Sequence, residues 1–239
     1  MKQKIGTIKN SISHLELDER VLTQNTLILA QEGSGKTHLA NIIRNFVMDH
    51  DVPTLYLDFS DPDIDGIEAR YKEHKAFFYI RFEESEAFDT AFCDAVARRE
   101  HIYMAVNPSF FGNKRDVKSR LSQTIQKPEL LDHYYYFFHE IALLNAFYNK
   151  FEDFMYYMLS LVTLKKFGLT FLTQPHQIFE DQKVKLVFSY LYIGKCSNTD
   201  YYDADLRTLP MHTFVHQHRE DKRTLLFNTI YTNTVMINH

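Results

Sequence analysis

The residue types best suited to chemistry stand together in Ala30-Gln31-Glu32-Gly33-Ser34-Gly35-Lys36-Thr37, with His38 directly after. Gly33 and Gly35 let the backbone curl until its N–H groups converge on an anion. In a loop of this kind Lys36 reaches the β- and γ-phosphates of a nucleoside triphosphate, and Thr37 holds Mg²⁺ through its hydroxyl. The expected nucleotide-binding set is Glu32, Gly33, Ser34, Gly35, Lys36, Thr37 and His38, although Ala30 stands where the strict pattern has Gly. A second anchor is His133-Tyr134-Tyr135-Tyr136-Phe137-Phe138-His139-Glu140, an apolar run that ends on an acid. At the carboxyl end of a strand, Glu140 would polarise the attacking water as a general base. The residue before it is His139, where an Asp would orient the Mg²⁺ shell, and Mg²⁺ prefers oxygen ligands. Either another acid such as Asp58 then helps, or the metal relies on Thr37, water and phosphate. A third polar group, Gln174, closes Leu169-Thr170-Phe171-Leu172-Thr173-Gln174-Pro175. It can hydrogen-bond the γ-phosphate or the attacking water; its plainer role is a turn residue before Pro.

These groups need elements to hold them. Thr26 to Leu29 suits a strand, and Leu39, Ile42, Ile43, Phe46 and Val47 recur at helical steps. Strand, glycine-containing loop and helix form the context that a phosphate-binding P-loop requires. Thr54 to Phe59 reads as a buried parallel strand whose end, Asp58 to Asp63, falls at the carboxyl edge, where α/β proteins place ligands. Asp58 is expected to cap that turn, with approach to the nucleotide or Mg²⁺ as the alternative. Phe77 to Ile80 and His101 to Val106 read as strands, Glu86 to Glu100 as a helix, and Ile141 to Lys166 as mostly helical. Val184 to Ile193 is strand-like and an acidic turn spans Asp200 to Asp205. Met211 to His218 and Thr224 to Tyr231 form a hairpin across Arg219 to Arg223. His212, His216 and His218 would share one strand face. A zinc site there lacks an indicated carboxylate or Cys partner, so a solvated face is expected. The resulting expectation is one α/β unit with a central, mainly parallel sheet flanked by helices: a lead-in over 1–25, a nucleotide-binding core over 26–196 and a C-terminal hairpin over 211–231.

Composition narrows the function. The 239 residues are 45% hydrophobic, enough for a sizeable core, and carry a net charge of −4. That balance excludes a globally basic nucleic-acid binder, so any DNA contact must use a local patch. Phe110 to Arg120 offers one, with Lys114, Arg115, Lys118 and Arg120 beside two aromatics; taken alone, a solvated helix start is the plainer reading. The two cysteines, Cys93 and Cys196, have no metal-site spacing and read as reduced thiols of an intracellular protein. The N-terminus has no apolar leader, and no run of about eighteen apolar residues is available to span a membrane.

In order, AQEGSGKT, the strand ending at Asp58, YYYFFHE, FGLTFLTQPHQI, YLYIGKC and the terminal hairpin resemble the HerA/FtsK group of P-loop motor ATPases over about residues 20–232. The short chain is similar in scale to the small genome-packaging ATPases of membrane-containing icosahedral viruses. The resemblance implies a RecA/ASCE-like P-loop NTPase fold, ATP hydrolysis with Mg²⁺, and a homo-oligomeric ring, most simply a hexamer, that drives double-stranded DNA into a preformed capsid. It further implies a cytoplasmic location or a packaging vertex, with capsid or membrane proteins as partners. Two departures stand out. His139 replaces the expected Asp, and Lys165-Lys166 stand where the group often carries an Arg aimed at the neighbouring subunit's site. Lysine supplies charge without the planar fork of Arg, so either Lys acts in trans or Arg207 or Arg219 does. Two rivals remain. One is a nucleoside or nucleotide kinase with the basic run 114–120 as its lid, which leaves the LTQP strand without a purpose. The other is a non-hydrolysing nucleotide switch marked by the His-Glu pair.

Overall fold

Alternate residues along the central strands divide between two apolar layers. Leu27, Leu29, Leu55, Leu57, Tyr136, Phe138 and Phe171 pack on one face; Ile28, Ala30, Tyr56, Tyr135, Phe137 and Leu172 pack on the other. A sheet buried on both faces needs such runs of large apolar residues rather than an apolar–polar alternation. The computed structural model describes residues 3–9, 11–60, 77–83, 85–107, 115–146, 151–175, 179, 187–196, 206–220 and 224–229. The elements in chain order are β1 (Gln3–Ile8), β2 (His14–Leu17), β3 (Asn25–Leu29), α1 (Lys36–Met48), β4 (Thr54–Asp58), β5 (Phe77–Arg81), α2 (Glu86–Ala97), β6 (His101–Ala105), α3 (Arg115–Ile125), α4 (Pro128–Leu131), β7 (Tyr135–His139), α5 (Phe151–Lys165), β8 (Leu169–Thr173), β9 (Tyr190–Ile193), β10 (Thr213–His218) and β11 (Thr224–Thr229).

Among the described residues the eleven strands form one sheet in the order β2-β1-β11-β10-β9-β3-β8-β7-β4-β6-β5. From β9 to β5 every pairing is parallel. From β9 back to β2 every pairing is antiparallel. Helix α1 covers one face with Leu39, Ile42, Ile43, Phe46 and Val47. Helices α2, α3, α4 and α5 cover the other, through residues such as Phe92, Leu121, Leu130 and Met158. The expected mainly parallel α/β sheet with flanking helices and a C-terminal hairpin is therefore present.

The register explains how distant segments meet. Across the sheet, Ala105, Asp58, His139, Leu172, Ile28 and Tyr192 stand in one row. Glu140 and Gln174 each lie at or just past that row's edge, so both come out beside the loop that follows β3. Beneath it, Phe137, Tyr56, Tyr103 and Tyr79 align on adjacent strands. Tyr56 stacks on Tyr103 with centroids 5.1 Å apart and on Phe137 at 5.6 Å. Such cross-strand aromatic pairs each contribute about 0.2–1 kcal/mol, and they brace the strands that carry Asp58 and His139.

Three local readings change. Val187 and Phe188 are not in a strand; β9 begins at Tyr190, and residues 184–186 lie outside the described ones. His216 and His218 are buried rather than solvated, because the neighbouring β9 presents Tyr192 and Tyr190 opposite them. His216 stacks on Tyr192 at 4.7 Å and His218 packs on Tyr190 at 4.6 Å. His212 precedes β10 and leaves their strand face altogether.

Candidate nucleotide site

The loop between β3 and α1 is built from backbone bonds. Ala30 N–H donates to the Thr173 carbonyl at 3.2 Å, Gln31 N–H to Lys195 at 2.8 Å, and Ser34 N–H to Gln31 at 3.3 Å. Gly33 and Gly35 take left-handed φ values of 73° and 95°, which glycine adopts without the steric cost that a Cβ brings. Gly35 is the N-cap of α1 and no side chain caps that end. The first N–H groups of a helix have no partner within it, so this terminus offers free donors at the positive pole of the helix dipole, which suits an anion.

A cavity of about 540 Å³ opens on it, lined by Glu32, Gly33, Gly35, Lys36, Thr37, His38, Ser60, His139, Glu140, Leu143 and Gln174. That volume is within the range of small-ligand sites. The fold thus brings the loop, the end of β7 and the end of β8 to one space. Of the expected loop set Ser34 and Lys36 are buried, and Ser34 does not line the cavity. Lys36 Nζ lies 3.4 Å from Glu140 Oε1 and also donates to the Gln31 carbonyl at 3.4 Å; the two charged side chains are 6% and 13% exposed. Glu140 itself holds a left-handed φ of 52°. Its N–H donates to the Leu172 carbonyl at 2.7 Å and its carbonyl accepts from Leu143 N–H at 2.9 Å. Backbone strain of this kind is maintained where the surroundings over-determine it, and it is concentrated at functional sites.

Asp58 caps its own turn. One carboxylate oxygen accepts from the Ser60 N–H at 2.9 Å and the Ser60 hydroxyl at 2.6 Å. The other accepts from the Tyr103 hydroxyl and lies 3.0 Å from His139 Nδ1, close enough for charge interaction though not aligned as a straight hydrogen bond. Burial alone would raise the Asp58 carboxyl. The His139 contact and charge, then the Ser60 and Tyr103 hydroxyls, outweigh it and hold the group below its ordinary 3.8. Burial, reinforced by the Asp58 charge, raises the Tyr103 phenol, so it stays a donor. Asp58 does not line the cavity; Ser60 and His139 stand in front of it. Of the residues lining the space, Thr37 brings a hydroxyl and Glu32 and Glu140 bring carboxylates, the oxygen donors that Mg²⁺ prefers. No group of three or more His, Cys, Asp or Glu that could hold a metal occurs among the described residues, and His212, His216 and His218 form no such group.

The remaining expected residues are dispersed. Lys165 and Lys166 lie just ahead of β8, at the amino edge of the sheet and away from the cavity, and Lys165 pairs with Asp132 at 3.1 Å. Arg219 is at the same amino edge, its N–H bonded to the Ser189 carbonyl. Arg207 lies on the carboxyl edge beside the loop after β9, where Cys196 N–H meets the Leu206 carbonyl at 3.4 Å. Of the basic segment, Arg120 is half-buried and bonded to Asp89 at 2.5 Å and to the Ser85 carbonyl at 3.2 Å, joining α3 to the start of α2. Phe110 to Lys114 and the side chains of Arg115 and Lys118 lie outside the described residues, as does the acidic turn Asp200 to Asp205. Cys93 is exposed and Cys196 buried, and neither forms a disulfide among the described residues. No helix among the described residues is long and apolar enough to cross a membrane.

His212 is the residue that sequence reasoning placed elsewhere. It holds φ 60° and donates its N–H to the Ser34 carbonyl at 3.1 Å. Burial, then the nearby His38, lower its imidazole below the ordinary histidine value. The available signal was Pro210 two residues earlier, which separates this position from the strand that follows.

No protein-family model and no curated protein matches the chain. Solved structures do. VirB4 of Thermoanaerobacter pseudethanolicus is similar at a TM-score of 0.66 and 9% identity, over 98% of this chain and 97% of that one. The genome packaging NTPase B204 from Sulfolobus turreted icosahedral virus 2, in complex with ATP-gammaS, is similar at 0.54 and 11%, over 87% of this chain and 98% of that one. Thermomonospora curvata EccC (ATPases 2 and 3), in complex with a signal sequence peptide, is similar at 0.59 and 14%, over 97% of this chain and 40% of that one. The chain spans a smaller share still, 26%, of the EccC cytoplasmic domain. At these identities the likeness concerns the fold, which is that of P-loop ATPases.

Proposed function

We propose that this chain is an ATP-hydrolysing motor, that it acts as a homo-oligomeric ring on double-stranded DNA, and that its task is the packaging of a viral genome into a preformed capsid. One observation carries the nucleotide chemistry: an uncapped helix start, Lys36, Thr37, Glu140 and Gln174, drawn from three strand ends, line a single cavity. The similarity of fold to a genome packaging NTPase that is nearly matched in length supports the cargo. Lys36 exchanges its pairing with Glu140 for the triphosphate oxygens and neutralises their charge. Glu140, freed from the lysine, accepts a proton from the attacking water. Gln174 orients that water or the γ-phosphate. Thr37 would hold Mg²⁺, which supplies charge neutralisation across the phosphates when bound. Lys36→Ala should abolish tight binding of a fluorescent ATP analogue, and unchanged binding would remove the site. Phosphate release measured with and without double-stranded DNA tests the motor: stimulation by DNA supports it.

A second reading rests on Asp58. Its carboxylate is occupied by Ser60, Tyr103 and the His139 contact, which leaves the metal shell with fewer protein oxygens. That favours a slow ATPase or a nucleotide switch. Tight ATP binding with no turnover, with or without DNA, would select it.

A further inference from the structure

The P-loop is supported from the far end of the chain. His212 stands between the loop and the C-terminal hairpin. Its N–H donates to the Ser34 carbonyl at 3.1 Å, while its own carbonyl accepts from the Thr229 N–H at 2.8 Å and the Thr229 hydroxyl at 3.3 Å. Thr213, the next residue, pairs with Asn228 in the β10–β11 register and bonds its side chain at 2.8 Å. The hairpin therefore fixes the residue in a left-handed conformation that side chains other than Gly, Asn and Asp seldom adopt.

The ring then fills the space beside Gly35. A Cβ built on Gly35 would lie 2.6 Å from His212 Nδ1, so the imidazole packs against the residue whose left-handed turn opens helix α1. It also meets the His38 ring edge-on, with centroids 5.2 Å apart and planes at 90°. His38 lines the nucleotide cavity. One side chain thus touches the hinge of the loop and a ring in the cavity wall, and its backbone bonds both the loop and the hairpin.

We propose that His212 is a positioning residue that holds the Gly35 turn and the His38 ring in place for a nucleoside triphosphate, and so links nucleotide binding to the C-terminal hairpin. This rests on the nucleotide site proposed above. The consequence is mechanical. Phosphates drawing the loop N–H groups inward act on the Ser34–Gly35 segment, and the shortest connection from that segment to β10 and β11 runs through His212. That connection runs from the nucleotide loop into the antiparallel flank of the sheet.

The test uses the full chain, a fluorescent non-hydrolysable ATP analogue and Mg²⁺. His212→Asn retains a residue that tolerates left-handed backbone and keeps the amide donor, but removes the ring. The expected result is a ligand-free melting temperature within about 2 °C of wild type with affinity about fivefold to tenfold weaker. Combined with His38→Asn, the losses should be less than additive, since the two rings act as a unit. Exchange of the Thr229 amide should slow on nucleotide binding in the wild type and by less in His212→Asn, which keeps these backbone bonds but loses the ring contact with Gly35. Wild-type affinity in His212→Asn, additive losses in the double variant, or equal Thr229 protection in both proteins would overturn the proposal. So would a lowered melting temperature with affinity unchanged, the pattern of a merely structural residue. Lys36→Ala, run alongside, separates the two levels: if it too binds normally the nucleotide site fails, and if it alone loses binding only the role of His212 fails. Should the Asn variant not fold, His212→Gly carries the same readouts with the backbone relaxed.

Discussion

Replacing Glu140 by Gln isolates one charge at the centre of the site. The side chain keeps its length, and the cost of the left-handed backbone at φ 52° stays the same, because Gln meets the same clash. What changes is the pairing with Lys36 at 3.4 Å. At an effective dielectric of about 20, two unit charges at that distance attract by about 5 kcal/mol. Most of this is offset by the desolvation of both groups, and the Gln amide oxygen still accepts from the ammonium. The net loss in the ligand-free protein should be about 1 kcal/mol, or a melting temperature lower by about 2–4 °C for a chain of this size.

With nucleotide the sign reverses. The carboxylate no longer competes with phosphate for Lys36 and no longer repels it. The variant should bind ATP as tightly as the wild type or more so, and its thermal gain on adding ATP and Mg²⁺ should be larger. Turnover should fall by about 10²–10⁴-fold, the usual contribution of a general base. Calorimetric melting with and without nucleotide, paired with a phosphate-release assay, reads all three quantities. Turnover within about threefold of the wild type would take Glu140 out of the base role, because loss of a positioned base costs at least about a hundredfold. Loss of ATP binding would refute the claim that Lys36 is merely exchanging partners.

Other perturbations have clear signs. The Asp58 carboxyl sits below its ordinary 3.8, so it contributes stability that is fully present above that value and is lost as pH falls through the lower folded value; Asp58→Asn should cost about 1–3 kcal/mol at neutral pH and flatten the acid limb of a stability–pH curve, and an unchanged limb would refute the assignment. His139→Asp puts a second carboxylate opposite Asp58 in the strand register, so it should destabilise the protein by itself and be rescued by adding Asp58→Asn, as thermal melts would read; destabilisation that persists in the double variant contradicts like-charge repulsion as the cause. Arg120→Ala should lower stability without DNA by about 0.5–1 kcal/mol, because its guanidinium joins α3 to Ser85 and Asp89; a pure loss of DNA affinity with no change in melting would instead make it a phosphate contact.

How far the sequence carried depended on the range of each interaction. The P-loop was legible because its chemistry is local: two glycines, a lysine and a hydroxyl stand within a few residues, between a strand pattern and a helix pattern. Glu140 and Gln174 were legible because each is the first polar group past an apolar strand, and parallel register places such ends together. Asp58 was legible only in part. That it would cap its turn follows from Ser60 two residues on, but its hydroxyl donor, Tyr103, is 45 residues away and arrives by the pairing of β4 with β6. The histidines show the same limit from the other side. Period-two reading put His212, His216 and His218 on one solvated face, because a lone strand carries no information about its neighbours. Tyr190 and Tyr192 bury two of them, and a left-handed turn after Pro210 sends the third to the P-loop.

The N-terminal segment was uninformative for the same reason. Its strand β1 pairs with β11, near the other end of the chain. With β2 it extends the antiparallel flank that begins at β10. The region holding His212 is thus backed by paired strands rather than left as a loose terminal hairpin, and a force on the P-loop meets a braced element. That bracing is what allows a single imidazole at position 212 to matter to a site formed at the opposite end of the sequence.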